Sequence, residues 1–249
     1  MIPTAIPSPA SFIMRIDPRA RLVVGFVSTL ILAVAVQWRA VALGLLLAVG
    51  LCAAARIPWG GLRARLIGVN VFLLMLPVVL PWSVPGAPLW SAGGWVYSRE
   101  GLELAMIIVL KGNAIILLLS ALIGTIDAAS LAHALEHLRL PRKLVHLLIF
   151  TVRYLEVLHE EAQRLYRAAR VRGFEAGAAL HTYHTLSRLL GMLLVRSVDR
   201  SERILAAMKA RGYCGRFYLL NHFHWSSRDG MFCVAALVVC MALAWMEWQ

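Results

Sequence analysis

Long apolar segments separated by short basic stretches dominate the first half of the chain. Residues 22–55 are apolar except at Gln37-Trp38-Arg39. As one helix this stretch would rise about 50 Å, whereas the hydrocarbon core of a membrane is about 30 Å thick. The pattern therefore predicts two membrane spans that turn at the Trp-Arg pair, because aromatic and basic side chains anchor at the membrane interface.

Three further apolar segments are long enough to cross a membrane. They are residues 66–80, which end at Pro81-Trp82, residues 102–126, and residues 231–246. Residues 81–101 are rich in proline, glycine and tryptophan, so they predict an irregular interfacial loop. The hydrophobic pattern therefore predicts about five transmembrane helices.

The segment between the fourth and fifth spans is more polar and follows a helical period. Apolar residues recur every three or four positions from Leu144 towards Arg172, after Pro141, which suits a first helical position. A second amphipathic helix is predicted from about Thr182 to Gly212. Both are predicted to be long amphipathic helices beneath a membrane domain. A soluble globular domain is not needed to explain them.

These elements predict an all-α polytopic membrane protein with two long cytoplasmic helices between spans four and five. The predicted regions are a four-span membrane region at residues 1–126, a cytoplasmic helical region at residues 127–229 and a fifth transmembrane helix at residues 230–249. The apolar run after the first arginines is read as a retained first span and not as a cleaved signal peptide, because another apolar run follows it at once.

Composition and charge place the chain in a lipid bilayer and orient it. Sixty per cent of the 249 residues are hydrophobic, which exceeds the usual share in soluble domains, and the formal charge is +12. Basic residues cluster at 15–21 and 56–65, whereas Arg39 and Arg99 are isolated. The positive-inside rule therefore predicts a cytoplasmic N-terminus in the inner membrane of the cell and an external Gln249. Lipid headgroups and acidic protein surfaces, not nucleic acid, are the expected partners.

Polar residues within the spans and histidine pairs offer weaker signals. Asn70, Lys111 and Asn113 interrupt spans and predict contacts between spans or with a partner, with an intramembrane active site as the alternative. The histidine pairs lack a cysteine or carboxylate pair that would complete a metal site, so no metal site and no cofactor are predicted. The pairs are His133/His137, His181/His184 and His222/His224.

Two short segments match each other in register. Residues 169–174 and residues 208–213 both read as a basic helix end followed by glycine and an aromatic residue. Either one alone is typical of a glycine-capped helix. Occurring twice in a basic region, they predict that Arg172 and Arg211 stand at helix tips and insert into acidic grooves on a partner.

These segments resemble motifs of the transmembrane T components of energy-coupling-factor (ECF) importers. Members of that family carry two Ala-Arg-Gly motifs at the ends of two cytoplasmic coupling helices, matched here by Val171-Arg172-Gly173 and Ala210-Arg211-Gly212. Val171 departs from the alanine of the pattern. The similarity is greatest to the cobalt-importer group, CbiQ. Further similar stretches are Asp17-Pro18-Arg19, Leu138-Arg139-Leu140-Pro141, Thr151-Val152-Arg153-Tyr154 and Glu160-Glu161.

The resemblance implies a non-catalytic coupling subunit of an ATP-driven importer, with cobalt as the expected substrate. It implies ABC-type ATPases that contact the two arginine motifs, and a substrate-binding membrane subunit (S component), similar to CbiM. The chain has no GxxxxGK[ST] loop, in agreement with ATP binding by a partner. Structural or coupling roles are implied for Asp17, Pro18, Arg19, Pro141 and Arg153.

Two other function classes stay open at this point: a membrane-integral enzyme and a stand-alone cation permease. The sequence leaves open whether another metal or a vitamin replaces cobalt. It also leaves open the number of ATPase types and whether the substrate-binding subunit is dedicated or shared.

Overall fold

The computed structural model of the chain describes residues 12–92, 95–138, 140–214 and 226–248. Nearly all regular structure in these ranges is helical, which confirms the predicted all-α class. The chain forms two compact units, a first unit made of residues 1–134 and 223–249 and a second unit made of residues 135–222. The sequence-predicted positions Arg139, His222, His224 and Gln249 lie outside the described residues.

The elements of the described ranges follow the hydrophobic pattern closely. A short 3-10 turn at Phe12–Arg15 precedes them. In chain order they are α1 (Pro18–Val34), α2 (Trp38–Ala54), α3 (Trp59–Leu73), α4 (Leu76–Ser83), β1 (Pro88–Ala92), β2 (Trp95–Ser98), α5 (Arg99–Leu122), α6 (Ala128–His137), α7 (Arg142–Val171), α8 (Leu180–Ala210) and α9 (Ser227–Trp248).

Among the described residues of the first unit, three segments have the length and apolarity of a membrane span: Trp59–Ser83, which comprises α3 and α4, together with α5 and α9. The helices α1 and α2 have 17 residues each. Such a helix rises about 26 Å, near the lower limit for crossing the hydrocarbon core. The predicted turn around Gln37 is confirmed, because α1 ends at Val34 and α2 begins at Trp38.

The prediction of an irregular loop at residues 81–101 is wrong in part, because α4 continues past Pro81 and an antiparallel hairpin follows it. Pro81 has no N–H to donate to the carbonyl of Pro77, four residues earlier. The hydroxyl of Tyr97 in β2 donates to that carbonyl at 3.1 Å instead. The hairpin therefore satisfies the backbone group that a proline inside the helix would leave without a partner.

Helices α1 and α9 run in the same direction. The backbone N–H of Asp17 donates to Asp229 Oδ1 at 2.8 Å, and Val36 N–H donates to Glu247 Oε1 at 2.7 Å. These bonds join the residues that flank α1 to the first and last turns of α9. The starts of α1 and α9 therefore lie at one end of the first unit, and both helices finish at the other.

A polar contact joins α3 to α5. Asn70 and Asn113 exchange side-chain amide hydrogen bonds of 2.7 and 2.9 Å. Each amide also donates to a carbonyl four residues earlier in its own helix, at 2.9 Å. Lys111 Nζ likewise donates to the carbonyl of Ala33 in α1 at 3.0 Å. The prediction that these polar residues form contacts between spans is confirmed.

Replacing Asn113 by leucine is expected to lower the free energy of unfolding by about 1–2 kcal/mol, because the Asn70 amide then loses its partner in an apolar environment. The double change Asn70→Leu with Asn113→Leu is expected to recover most of that loss, since no unpaired amide is left. Thermal unfolding of the detergent-solubilised chain measures both. If the double variant loses as much unfolding free energy as Asn70→Leu and Asn113→Leu lose together, the two amides do not act as a pair.

Candidate functional site: the ends of two long helices

The second unit is built on α7 and α8, which pack against each other in opposite directions. Their chain order is reversed across the contact, since Tyr166 of α7 lies near Leu186 of α8 whereas Phe150 lies near Met208. Two apolar grooves of about 490 and 370 Å³ open along this contact. The antiparallel packing places the C-terminal ends of the two helices at opposite ends of the pair.

An ion pair links α7 to α8 near the middle of both. Arg196 donates to the carboxylate of Glu161, and Arg164 lies 3.8 Å from the same carboxylate. The Glu161 side chain is only 13% exposed, whereas Glu160 is 67% exposed and pairs with Arg164 along one helix. The hydrogen bond from Arg196 holds the pKa of Glu161 below its usual value of 4.5. Glu161 is thus the carboxylate that ties the helices together.

Acidification is expected to loosen the α7–α8 pair. The pKa of Glu161 is lower in the folded protein than in the unfolded chain, so its contribution is complete above the usual carboxyl pKa and is lost as the pH falls through the folded value. Spin labels at Glu156→Cys and Asp199→Cys are expected to give a broader distance distribution at low pH. Glu161→Gln should reproduce that distribution at neutral pH, and Glu160→Gln, the matched control, should not. Equal effects of the two variants would contradict this role.

Helix α7 ends in a Schellman cap. The N–H of Phe174 donates to the carbonyl of Ala169 at 3.1 Å, and the N–H of Gly173 donates to that of Arg170 at 3.0 Å. Gly173 has φ +85°, a left-handed conformation that a residue with a Cβ adopts at a cost. Phe174 is buried and packs edge-on against Tyr166, with ring centroids 6.1 Å apart. The glycine and the aromatic residue thus fix the direction in which the chain leaves the helix.

The end of α8 repeats this geometry. The N–H of Tyr213 donates to the carbonyl of Met208 at 3.0 Å, and the N–H of Gly212 donates to that of Lys209 at 3.0 Å. Gly212 has φ +81°. The residue before each glycine also matches, with φ/ψ of −85°/14° at Arg172 and −94°/14° at Arg211. Two distant segments therefore present an arginine in the same backbone setting.

Both arginines are available to a partner. Arg172 and Arg211 are exposed, and neither forms an ion pair or a side-chain hydrogen bond with any residue that the structure describes. Val171 is 89% exposed, although it is apolar, and Ala210 is exposed as well. Helix α8 has 31 residues, so the two tips are separated by about 46 Å if it is straight. Each tip combines a free guanidinium with an exposed apolar neighbour.

The Asp17-Pro18-Arg19 stretch caps α1. Asp17 is extended at φ −53° and ψ 127°, as expected before proline, and Pro18 occupies the first helical position. The Asp17 carboxylate accepts the backbone N–H of Arg19 at 2.9 Å. Asp229, which is 2% exposed, accepts the N–H of Asp17 and that of Ser226, both at 2.8 Å. The stretch is therefore part of the hydrogen-bonded start of α1 and α9.

The remaining sequence-predicted positions lie at the start and along the exposed face of α7. Pro141 immediately precedes the helix, which begins at Arg142, one residue later than predicted. Arg153 is exposed, and its side chain has no partner among the described residues. Tyr154 stacks on Phe150 with ring centroids 6.0 Å apart. Phe150 and Tyr154 line one groove with Met208 and Tyr213, so this part of α7 lies beside the Arg211 end of α8 and away from the Arg172 end of α7.

Asp229, Glu247 and Glu161, which join separate helices in the described part of the chain, were not predicted as site residues. Asp229 and Glu247 hold the two ends of α1, and Glu161 joins α7 to α8. Asp229 and Glu247 flank the last apolar run in the sequence, which was their only signal. Within the described ranges, no group of three histidine, cysteine, aspartate or glutamate side chains is placed to hold a metal ion.

Comparison with known proteins gives a consistent result. The chain matches the family model described as CbiQ, cobalt transport protein, over residues 9–219. It is 26% identical to the energy-coupling factor transporter transmembrane protein EcfT of Brevibacillus brevis over 94% of both chains. It is 25% identical to EcfT of Bacillus subtilis over 94% of this chain and 93% of the relative. It is 27% identical to EcfT of Leuconostoc gelidum over 82% and 80%, respectively.

Proposed function

Because the chain belongs to the CbiQ family of cobalt transport proteins and is the T component of an energy-coupling factor transporter, we propose that α7 and α8 transmit conformational change from cytoplasmic ABC-type ATPases to a substrate-binding membrane subunit. The observation that carries this proposal is the pair of identically capped helix ends. Arg172 and Arg211 would enter acidic grooves on the ATPases, since an exposed guanidinium matches a carboxylate in a bidentate geometry.

The positions of the two tips favour one contact with each of two ATPase subunits. The tips lie at opposite ends of an antiparallel pair, about 46 Å apart if α8 is straight. That separation is larger than a single acidic groove can bridge. A dimer of ATPases would therefore hold one tip in each subunit. Closure of the dimer would move the two bound tips and so change the distance between them or the angle between α7 and α8.

The central ion pair gives the two helices a shared pivot. Glu161 and Arg196 join α7 to α8 between the two apolar grooves. Movement of one tip is then passed to the other helix near its middle. The exposed apolar side chains along both helices, such as Leu147 and Leu194, are candidates for contact with the membrane or with the substrate-binding subunit.

The proposal extends to the orientation of the chain and to the substrate. The basic start of α1 and the basic segment before α3 support a cytoplasmic N-terminus, by the positive-inside rule. With a cytoplasmic N-terminus, the parallel direction of α1 and α9 supports an external end of α9. The description of the matching family supports cobalt as the transported ion. Its ligands are expected on the substrate-binding subunit, which would be similar to CbiM.

Roles for the other positions follow from where they lie. Asp17, Pro18 and Arg19 would hold the start of α1, and thereby the membrane part of the coupling path. Pro141 would set the start of α7, and Arg153 would extend its basic surface towards a partner. Gly173, Gly212, Val171 and Ala210 would shape the two ATPase contacts.

Co-expression with candidate ABC-type ATPases and a substrate-binding subunit tests the proposal. We expect all subunits to co-purify, and membrane vesicles containing them to take up radioactive cobalt only with ATP. The isolated chain is expected to bind no ATP, because it lacks a phosphate-binding loop. Turnover by the isolated chain would favour a membrane-integral enzyme, and ATP-independent uptake would favour a permease. Either result would overturn the proposal.

A further inference from the structure

We propose that Arg21 and Arg65, together with the last turn of α5, form a binding site for the phosphate of an anionic membrane lipid. Arg21 lies in the first turn of α1, and Arg65 lies in the first half of α3. Both guanidinium groups reach the same short stretch of α5 and the turn that follows it, residues 120–125. The site lies at the end of the first unit where α1 and α3 begin.

The partners of both guanidinium groups are neutral hydroxyls. Arg21 Nη2 donates to Thr125 Oγ1, and Arg65 Nη1 donates to Ser120 Oγ at 3.3 Å. Thr125 in turn donates to the carbonyl of Ala121 at 3.0 Å. Arg21 is 2% exposed, and its buried Nε has no hydrogen-bond partner. Arg65 is exposed, so an anion can reach the site from outside the helix bundle.

No carboxylate of the chain compensates these two charges by direct pairing. All 13 Asp and Glu residues of the sequence lie within the described ranges, and none forms an ion pair with Arg21 or Arg65. The carboxylates of Asp17 and Asp229 at the same end accept backbone N–H groups. The C-terminal end of α5 offers only about half a negative charge through its dipole, against two guanidinium charges. The site therefore retains net positive charge.

The chemistry of that charge fits a lipid phosphate. Guanidinium groups bind phosphate oxygens through two parallel N–H bonds, and basic pockets between membrane helices bind anionic headgroups. Five further arginines lie on the same side of the membrane as Arg21 and Arg65 in the predicted topology. Their charge strengthens the attraction to an anionic leaflet. They are Arg15, Arg19, Arg56, Arg63 and Arg228.

Thermal unfolding and titration of the full chain in detergent micelles test this site. The probes are phosphatidylglycerol, phosphatidylcholine and inorganic phosphate, each added alone to the wild type, to Arg65→Gln and to Arg63→Gln. Arg63 is the matched control, because it is exposed and has no partner in the described part of the chain. We expect phosphatidylglycerol to raise the melting temperature of the wild type more than phosphatidylcholine does. We expect its affinity to fall about tenfold or more in Arg65→Gln and to stay unchanged in Arg63→Gln.

Three outcomes would overturn the proposal. Equal stabilisation by the two lipids would show that the site does not require a lipid with net negative charge. Equal loss in Arg65→Gln and Arg63→Gln would indicate a diffuse basic surface instead of a site. Stabilisation by inorganic phosphate to the same extent would make a soluble anion the ligand. Arg65 is the position varied because it is exposed, and its replacement leaves the buried Arg21 and the hydrogen bond from Arg21 to Thr125 in place.

Discussion

Charge reversal at both Arg172 and Arg211 is expected to abolish ATP-driven transport while the subunit still inserts in the membrane. If the two arginines served only as helix ends, glutamate there would change the dipole interaction by about 0.3–1 kcal/mol each, and transport would continue. In acidic grooves on the ATPases, like charges in a desolvated contact cost several kcal/mol. Since about 1.4 kcal/mol is a tenfold change in affinity, ATPase binding should fall by orders of magnitude.

Single reversals are expected to be milder, because the second tip still holds the ATPases and raises their effective concentration at the first. The control is Arg188→Glu with Arg203→Glu, which changes net charge by the same amount at exposed positions along α8 away from its end. Pull-down of the ATPases and cobalt uptake are measured in the same cells. Equal losses in the control pair would assign the effect to net charge and not to the tips.

Removal of the Asp229 carboxylate is expected to cause the largest loss of stability in the membrane unit. The Asp229→Ala change leaves the N–H groups of Asp17 and Ser226 without their acceptor in a site where Asp229 itself is 2% exposed. The buried Asp17 N–H left without a partner costs about 1–3 kcal/mol and the N–H of the exposed Ser226 costs less, so the free energy of unfolding should fall by about 2–4 kcal/mol. Thermal unfolding in detergent measures this change.

The matched control for Asp229 is Glu103→Ala. Glu103 pairs with Arg99 one turn away at 2.9 Å, and both side chains are at least 60% exposed. An exposed pair of this kind contributes about 0.3–0.5 kcal/mol. Asp229→Asn should lie between the wild type and Asp229→Ala, since its amide keeps one acceptor oxygen. A loss in Asp229→Ala no greater than that in Glu103→Ala would contradict the role of this carboxylate as the link between α1 and α9.

The parts of the fold that local sequence determines were predictable. Apolar runs marked the membrane helices, and the glycine after each basic helix end marked the two Schellman caps, because only a few neighbouring residues determine them. The confirmed left-handed conformations of Gly173 and Gly212 show this directly. Helix α6 was not predicted, since its ten residues carry a weaker apolar pattern than the neighbouring spans.

Contacts between distant segments were not predictable from one sequence. Asp17 and Asp229 are 212 positions apart, and no local pattern links them. Pro81 is tolerated inside α4 because the hydroxyl of Tyr97 donates to the carbonyl of Pro77, and the hairpin brings Tyr97 to that position. The placement of the two arginine tips at opposite ends depends on antiparallel packing of α7 and α8, whereas the sequence showed only that two similar helix ends exist.

Site-directed cross-linking from the two tips tests whether Arg172 and Arg211 lie at the ATPase contacts. Val171→Cys and Ala210→Cys place a thiol beside each arginine at exposed positions, in a chain whose exposed Cys214 is replaced by serine. A thiol-specific cross-linker is applied to the assembled complex in membranes, and products are identified by mass spectrometry. Arg188→Cys, along α8 and away from its end, serves as the control.

We expect each tip to cross-link to an ATPase and the double variant to yield one copy of this chain joined to two ATPase subunits. The control position should yield neither product. Cross-links from the tips to the substrate-binding subunit alone, or none to the ATPases from either tip, would contradict the claim that Arg172 and Arg211 mark the ATPase contacts.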